Sequence, residues 1–161
     1  VMMHAEDLPY MDKALPDAWK AAGEFATAIS SATASGLTLA ESEIIKVRVS
    51  QLNGCVFCLD LHSRQARKHG VPQQKLDLLP AWRETTLFTS RETALLAVAE
   101  TATAVPLSEN SKADLIAARH ALGEVSFVSA EWVATSINLF NRISILSEHP
   151  VRARDADGHL S

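Results

Sequence analysis

Cysteine is scarce in this sequence, aromatic residues are few, and no excess of positive charge is found. The 161 residues contain two cysteines, Cys55 and Cys58. A secreted disulfide scaffold spreads more of them along the chain to close long loops, so that class is excluded. Lys plus Arg number 15 against 19 Asp plus Glu, a net charge of −4. A chain built to bind nucleic acid carries a positive footprint instead. Long apolar runs are missing as well. Stretches such as Ala94 to Ala99 fall far short of a membrane span, so no membrane partner is expected. The N-terminus lacks the basic-then-apolar order of a signal peptide, which makes the cytoplasm the expected address.

Against these absences stands a 47% hydrophobic and 21% charged composition, enough for a real core in one domain. The expected domain runs over residues 1–150, with its core at about 37–146 and a flexible polar tail at 151–161. Strand signals are few, whereas alanine, leucine and glutamate recur in helical blocks. Pro16 and Gly36 bracket a first helix to about Ser35. Thr38 with Glu41, and Thr89 with Glu92, form capping boxes that open two more helices. Asn53-Gly54 is a break, and a helix follows from about Cys55 to His69, closed by Gly70. Arg64, Arg67 and Lys68 in its last turn read as a solvated cationic helix end. A short helix spans Pro72 to Leu79. Ser108 and Gly123 bound another, and Ser129 is expected to cap the last, from about Ala130 to Leu146. The fold class is therefore all-α, with six or seven helices. The last helix carries Trp132, Val133, Ile137, Leu139, Phe140, Ile143 and Ile145 nearly all round, which implies homo-oligomerisation.

The chemistry concentrates between Glu43 and His62. At about 100° per residue, Cys55, Cys58 and His62 fall at roughly 0°, 300° and 340°, on one helical stripe. If the Asn53-Gly54 break folds two helices together, Glu43 reaches the imidazole or a thiol. A helix N-terminus and a nearby imidazolium both lower a thiol pKa, and a carboxylate can orient the histidine. Two cysteines three apart can then cycle between dithiol and disulfide. Three other readings stay open on the residues alone. The residues can be ordinary core, a zinc site of Glu43, Cys55, Cys58 and His62, or a passive regulatory disulfide on a binding protein.

The run Glu43-x11-Cys55-x2-Cys58-x3-His62 resembles the signature of the alkylhydroperoxidase D-like (AhpD-like) proteins of the carboxymuconolactone decarboxylase superfamily. The likeness continues through Gln51-Leu52-Asn53-Gly54-Cys55, Ala81-Trp82-Arg83-Glu84, Leu87-Phe88-Thr89-Ser90-Arg91-Glu92 and Ile137-Asn138-Leu139-Phe140-Asn141-Arg142. It covers about Leu37 to Ile145. The resemblance implies an all-helical fold assembling into trimers or hexamers, and a thiol-dependent peroxidase that reduces organic hydroperoxides in antioxidant defence. Carried over by position, Cys55 and Cys58 are the redox pair, His62 the proton shuttle and Glu43 its carboxylate. No metal or organic cofactor is needed, because sulfur carries the electrons, and the implied reductant is a dithiol or a lipoyl-bearing protein. One position departs from the family pattern: Phe57 stands where the namesake enzyme has a second histidine. The decarboxylase branch does not rely on a Cys-x-x-Cys pair, which leaves lactone decarboxylation a minor alternative beside a non-catalytic redox sensor or ligand-binding oligomer. The order of the cysteines is open. Cys55 lies nearer the helix terminus, while the base one turn from Cys58 favours Cys58 as the attacking thiolate. Asn138, Asn141 and Arg142 are expected to serve as caps or subunit contacts. His4, His69, His120, His149 and His159 are not expected to act in catalysis.

Overall fold

The structure is a computed structural model and describes residues 8–161, so His4 lies outside the described residues. Among these residues there are eight α-helices: α1 (Met11–Ala14), α2 (Pro16–Thr33), α3 (Leu39–Asn53), α4 (Val56–Lys68), α5 (Gln73–Leu78), α6 (Ser90–Thr103), α7 (Glu109–Leu122) and α8 (Glu124–Leu146). A 3-10 segment, Leu79–Glu84, follows α5 directly. Pro80 stands in the first turn of that segment, where no intrahelical N–H is required, and so extends the chain's path rather than stopping it. The only β-type pairing among the described residues is an isolated bridge, Arg154 to Leu160.

Both expected capping boxes close. Thr38 Oγ1 accepts from Glu41 N at 3.2 Å while Glu41 Oε2 accepts from Thr38 N at 2.9 Å. Thr89 and Glu92 repeat the arrangement at 3.1 and 2.8 Å. Each satisfies backbone N–H groups that a helix start leaves without partners. The last helix departs from expectation. It begins at Glu124, immediately after Gly123, and Ser129 lies buried inside it instead of capping it. Gly123 ends α7 and starts α8 at a φ of 76°, so the two helices meet without a loop.

Helices α3, α6 and α8 form the centre. Ile45 and Val49 of α3 pack with Leu95, Val98 and Ala99 of α6 and with Ala130, Val133, Ala134 and Ile137 of α8. The other side of α3 supplies Ile44 and Val47 to a second cluster with Leu76, Leu79, Trp82, Phe88 and Leu96. A helix that is apolar on two sides must lie between partners, and α3 does. Helix α2 reaches α8 at Gly36, just past its end. A Cβ there would stand 2.9 Å from the Val125 carbonyl oxygen, so only glycine allows the approach.

Helix α1 and the residues just after α8 meet beside α4. Met11 N donates to Ser147 Oγ at 3.0 Å, and His149 Nε2 lies 3.0 Å from Asp12 Oδ1. The His149 ring stacks edge-on to Phe57, with centroids 5.7 Å apart. The tail, expected to have nothing to pack on, is held at one point: Arg154 Nε pairs with Asp60 Oδ1 of α4 at 3.3 Å. Asp60 also takes Arg64 at 3.1 Å, so the cationic end of α4 is partly neutralised within the fold. No helix among the described residues is long and apolar enough to cross a membrane.

Candidate active site

The Asn53-Gly54 break does what its residues allow. Gly54 takes the left-handed conformation, φ 67° and ψ 31°, and its N–H returns to the carbonyls of Ser50 and Gln51. This is the ordinary glycine ending of a helix. One residue later Cys55 is the N-cap of α4, with extended dihedrals, so it precedes the helix rather than lying in its first turn. The reversal lays α4 back against α3, and Glu43 meets His62: Oε2 is 2.8 Å from Nδ1. The second carboxylate oxygen of Glu43 accepts from Lys46 Nζ at 3.1 Å.

Glu43 is 7% exposed. Burial works against its charge, but the hydrogen bond from His62 and the ammonium of Lys46 outweigh it and hold the carboxyl below its usual value. Because the carboxylate accepts, Nδ1 carries the proton, and in the neutral ring Nε2 then holds the lone pair. The network thus assigns the tautomer a general base requires.

Both sulfurs are buried, Cys55 at 1% and Cys58 at 4% exposure, and both are free thiols. They share a hydrogen bond, and their surroundings separate them. The Cys58 thiol donated toward Cys55 favours a thiolate at Cys55. Burial opposes that charge, while the N–H dipoles of Cys58 and Phe57 and the Ser144 hydroxyl support it. These N–H groups face the sulfur without closing a full side-chain cap. The balance brings the Cys55 pKa down to about 6, from an ordinary value of 9.0. The Cys58 thiol moves the other way, because it gives its proton to the shared bond and is buried. The charge therefore resides on the N-cap cysteine, opposite to the order favoured by sequence distance from His62.

The surroundings of Cys58 contain residues that the sequence had assigned elsewhere. Cys58 Sγ lies 3.9 Å from Ser144 Oγ of α8. Asn141, one turn earlier and 0% exposed, donates to Ser50 Oγ at 3.0 Å and accepts from Asn53 Nδ2 at 2.9 Å. The Asn141 amide also helps hold down the charge cost at Cys58. Asn53 donates to Asn138 Oδ1 at 2.9 Å, and Asn138 donates to Thr103 Oγ1 at 3.0 Å. Asn141 is thus an interior polar partner, and half-buried Asn138 joins its network rather than capping a helix. A signal was present: Asn138, Asn141 and Ser144 recur every third residue on an apolar helix, a polar stripe that has to find partners.

Beside the dyad, α2, α3 and α8 enclose a cavity of about 390 Å³. Ile29, Leu37, Val133, Ile137 and Phe140 give it apolar walls, and Glu43, Lys46 and His62 form a polar end. This is within the size range of small-molecule sites, about 300–1,000 Å³. His62 lines the cavity while Cys55 and Cys58 do not. The imidazole lies one turn along α4 from Cys58. The zinc alternative finds no support in this geometry. Among the described residues, the group of three or more ligating side chains close enough to share an ion is the exposed Asp155, Asp157 and His159.

The fold and the motif agree with what the chain resembles. A family model described as the carboxymuconolactone decarboxylase family matches residues 4–101. The chain belongs to this family. It is 36% identical over 111 residues to YdfG of Bacillus subtilis (strain 168), an uncharacterized protein, across 69% of this chain and 76% of that one. A crystal structure from Agrobacterium tumefaciens superimposes with a TM-score of 0.76 at 30% identity, covering 88% of this chain and 96% of the other. That protein is described as being of unknown function and a candidate antioxidant defence protein AhpD. An AhpD-like member of the carboxymuconolactone decarboxylase superfamily is therefore what both comparisons support.

Proposed function

We propose that this family member is a thiol peroxidase that reduces organic hydroperoxides with its Cys55–Cys58 pair, as part of antioxidant defence. The observation that carries the reading is two buried free thiols three residues apart at the start of α4, with a histidine one turn further along that bonds a buried carboxylate. In this reading the Cys55 thiolate attacks the outer oxygen of the hydroperoxide. An S–O bond forms, the O–O bond breaks, and the departing alkoxide takes a proton from His62, which had received it when Cys55 ionised. Cys58 then attacks the Cys55 sulfenic acid. The S–S bond forms, the S–O bond breaks, and water leaves with the Cys58 proton. In sum, two thiols and one hydroperoxide give a disulfide, an alcohol and water.

The cavity accommodates the organic group of the substrate in this scheme, its polar end at His62. A dithiol or a lipoyl-bearing protein returns the disulfide to thiols, and no metal or organic cofactor takes part. The working form is a homo-oligomer, a trimer or hexamer, and its setting is the cytoplasm. Treating reduced protein with one equivalent of an organic hydroperoxide tests the chemistry. Intact mass is expected to fall by two hydrogens in the native chain and in neither Cys55→Ser nor Cys58→Ser. An unchanged mass, with thiols lost no faster than those of a free dithiol, contradicts the proposal.

A further inference from the structure

The charges that line the cavity beside the dyad cancel. Its ionisable lining residues are Glu43, Lys46 and His62. Lys46 Nζ stands 3.1 Å from Glu43 Oε1, and His62 Nδ1 stands 2.8 Å from Oε2, so both carboxylate oxygens are engaged. Glu43 is buried yet held below the usual carboxylate range, and is therefore charged at neutral pH. With the ring neutral, this polar end sums to zero. In the reactive form of the site the balance is the same, because a proton moved from Cys55 to His62 leaves one thiolate for one imidazolium.

The walls add no charge. Ile29, Leu37, Val133, Ile137 and Phe140 are apolar, and the Thr33 hydroxyl donates to the Ile29 carbonyl at 2.8 Å. A carboxylate brought into this space loses its water and meets an ammonium that Glu43 has already neutralised and a carboxylate that repels it. The chain's net charge of −4 supplies no attraction from further away. An uncharged molecule meets none of these penalties. Its apolar body buries against the walls, and its oxygen can accept from Lys46, whose three N–H groups have one described partner. We infer that the cavity selects uncharged organic hydroperoxides, an alkyl or aryl group bearing the hydroperoxide, and rejects those whose buried organic group ends in a carboxylate, with the Glu43–Lys46 pair setting that preference.

As a statement about substrate this rests on the peroxidase reading, but as a statement about binding it does not. The reduced full chain is titrated calorimetrically at neutral pH with octanol and with octanoate, which share a chain length and differ in charge. Octanol is expected to bind at least about tenfold more tightly. Glu43→Gln leaves the Lys46 charge without its partner, and is expected to raise octanoate affinity about tenfold or more while octanol stays within about threefold. A site elsewhere on the surface would not answer to that substitution. Octanoate binding as tightly as octanol in the native chain, or no binding of octanol, overturns the inference without recourse to any variant. An unchanged octanoate affinity in folded Glu43→Gln removes the pair as its cause and overturns it equally. A parallel arm compares kcat/KM for an aryl hydroperoxide and for its carboxylate-bearing derivative, with the latter expected to be about tenfold lower or less. If the native chain consumes neither hydroperoxide while octanol and octanoate divide as expected, the peroxidase reading falls and the cavity's preference stands.

Discussion

Cys55 and Cys58 are the same chemical group three residues apart, and their different surroundings come from one helix start. Cys55, as the N-cap, receives the thiol of Cys58 and faces the amide dipoles of Phe57 and Cys58. Cys58, a turn inside, meets a serine and an amide across the packed interface with α8. A thiol lowered to about 6 is mostly thiolate at neutral pH. The rate of Cys55 alkylation by iodoacetamide should therefore rise with pH through a midpoint near 6, followed in Cys58-containing protein by peptide mass. A midpoint near the ordinary thiol value would remove the division of charge. Glu43 titrates in the opposite sense to a buried unpaired acid. Its pKa is lowered, so the dyad persists through neutral pH and is lost only as pH falls below the usual carboxylate range. Glu43→Gln should cut hydroperoxide-driven thiol loss by about 10²-fold while leaving Cys55 alkylation at neutral pH within about twofold of the native rate. Equal losses in both would place Glu43 in packing and not in proton transfer.

Helix boundaries set these distances, and their legibility in the sequence was uneven. Thr38-Glu41 and Thr89-Glu92 declare two helix starts through side chains three residues apart, and Asn53-Gly54 declares the reversal that joins Glu43 to His62. These signals are local, so the sequence carries them openly. Ser129 misled because a serine before an apolar run resembles a cap, whereas Gly123 had already started the helix. The α8 contributions to the site were hidden for a different reason. Ser144 meets Cys58 from 86 positions away, a tertiary contact that no local spacing encodes. Their common helix, α8, is also where α2 docks at Gly36. Gly36→Ala drives a Cβ to 2.9 Å from a backbone oxygen that cannot turn aside. The expected cost is about 1–3 kcal/mol, read as a lower urea midpoint with an unchanged slope. An unaltered midpoint would mean that the α2–α8 approach relaxes freely.

For the whole molecule, the three central helices hold the sulfur pair and the dyad on one scaffold, with α1 and the residues just after α8 fastened beside α4. Beyond that core, α8 still leaves Val125, Trp132 and Leu139 exposed at 59%, 48% and 39%. Apolar side chains distributed this way on a helix already packed on its other side fit a surface buried between copies. Sedimentation at micromolar concentration is expected to show a trimer or hexamer, and a stable monomer would contradict that assignment. The proposed function turns on catalytic cycling through one sulfur pair. Its most direct measurement is the amount of alcohol formed from an organic hydroperoxide per protein chain, with a reduced lipoyl dithiol in excess. Many equivalents of alcohol per chain are expected, abolished in both Cys55→Ser and Cys58→Ser. A single equivalent, or turnover that survives the loss of either cysteine, would contradict it.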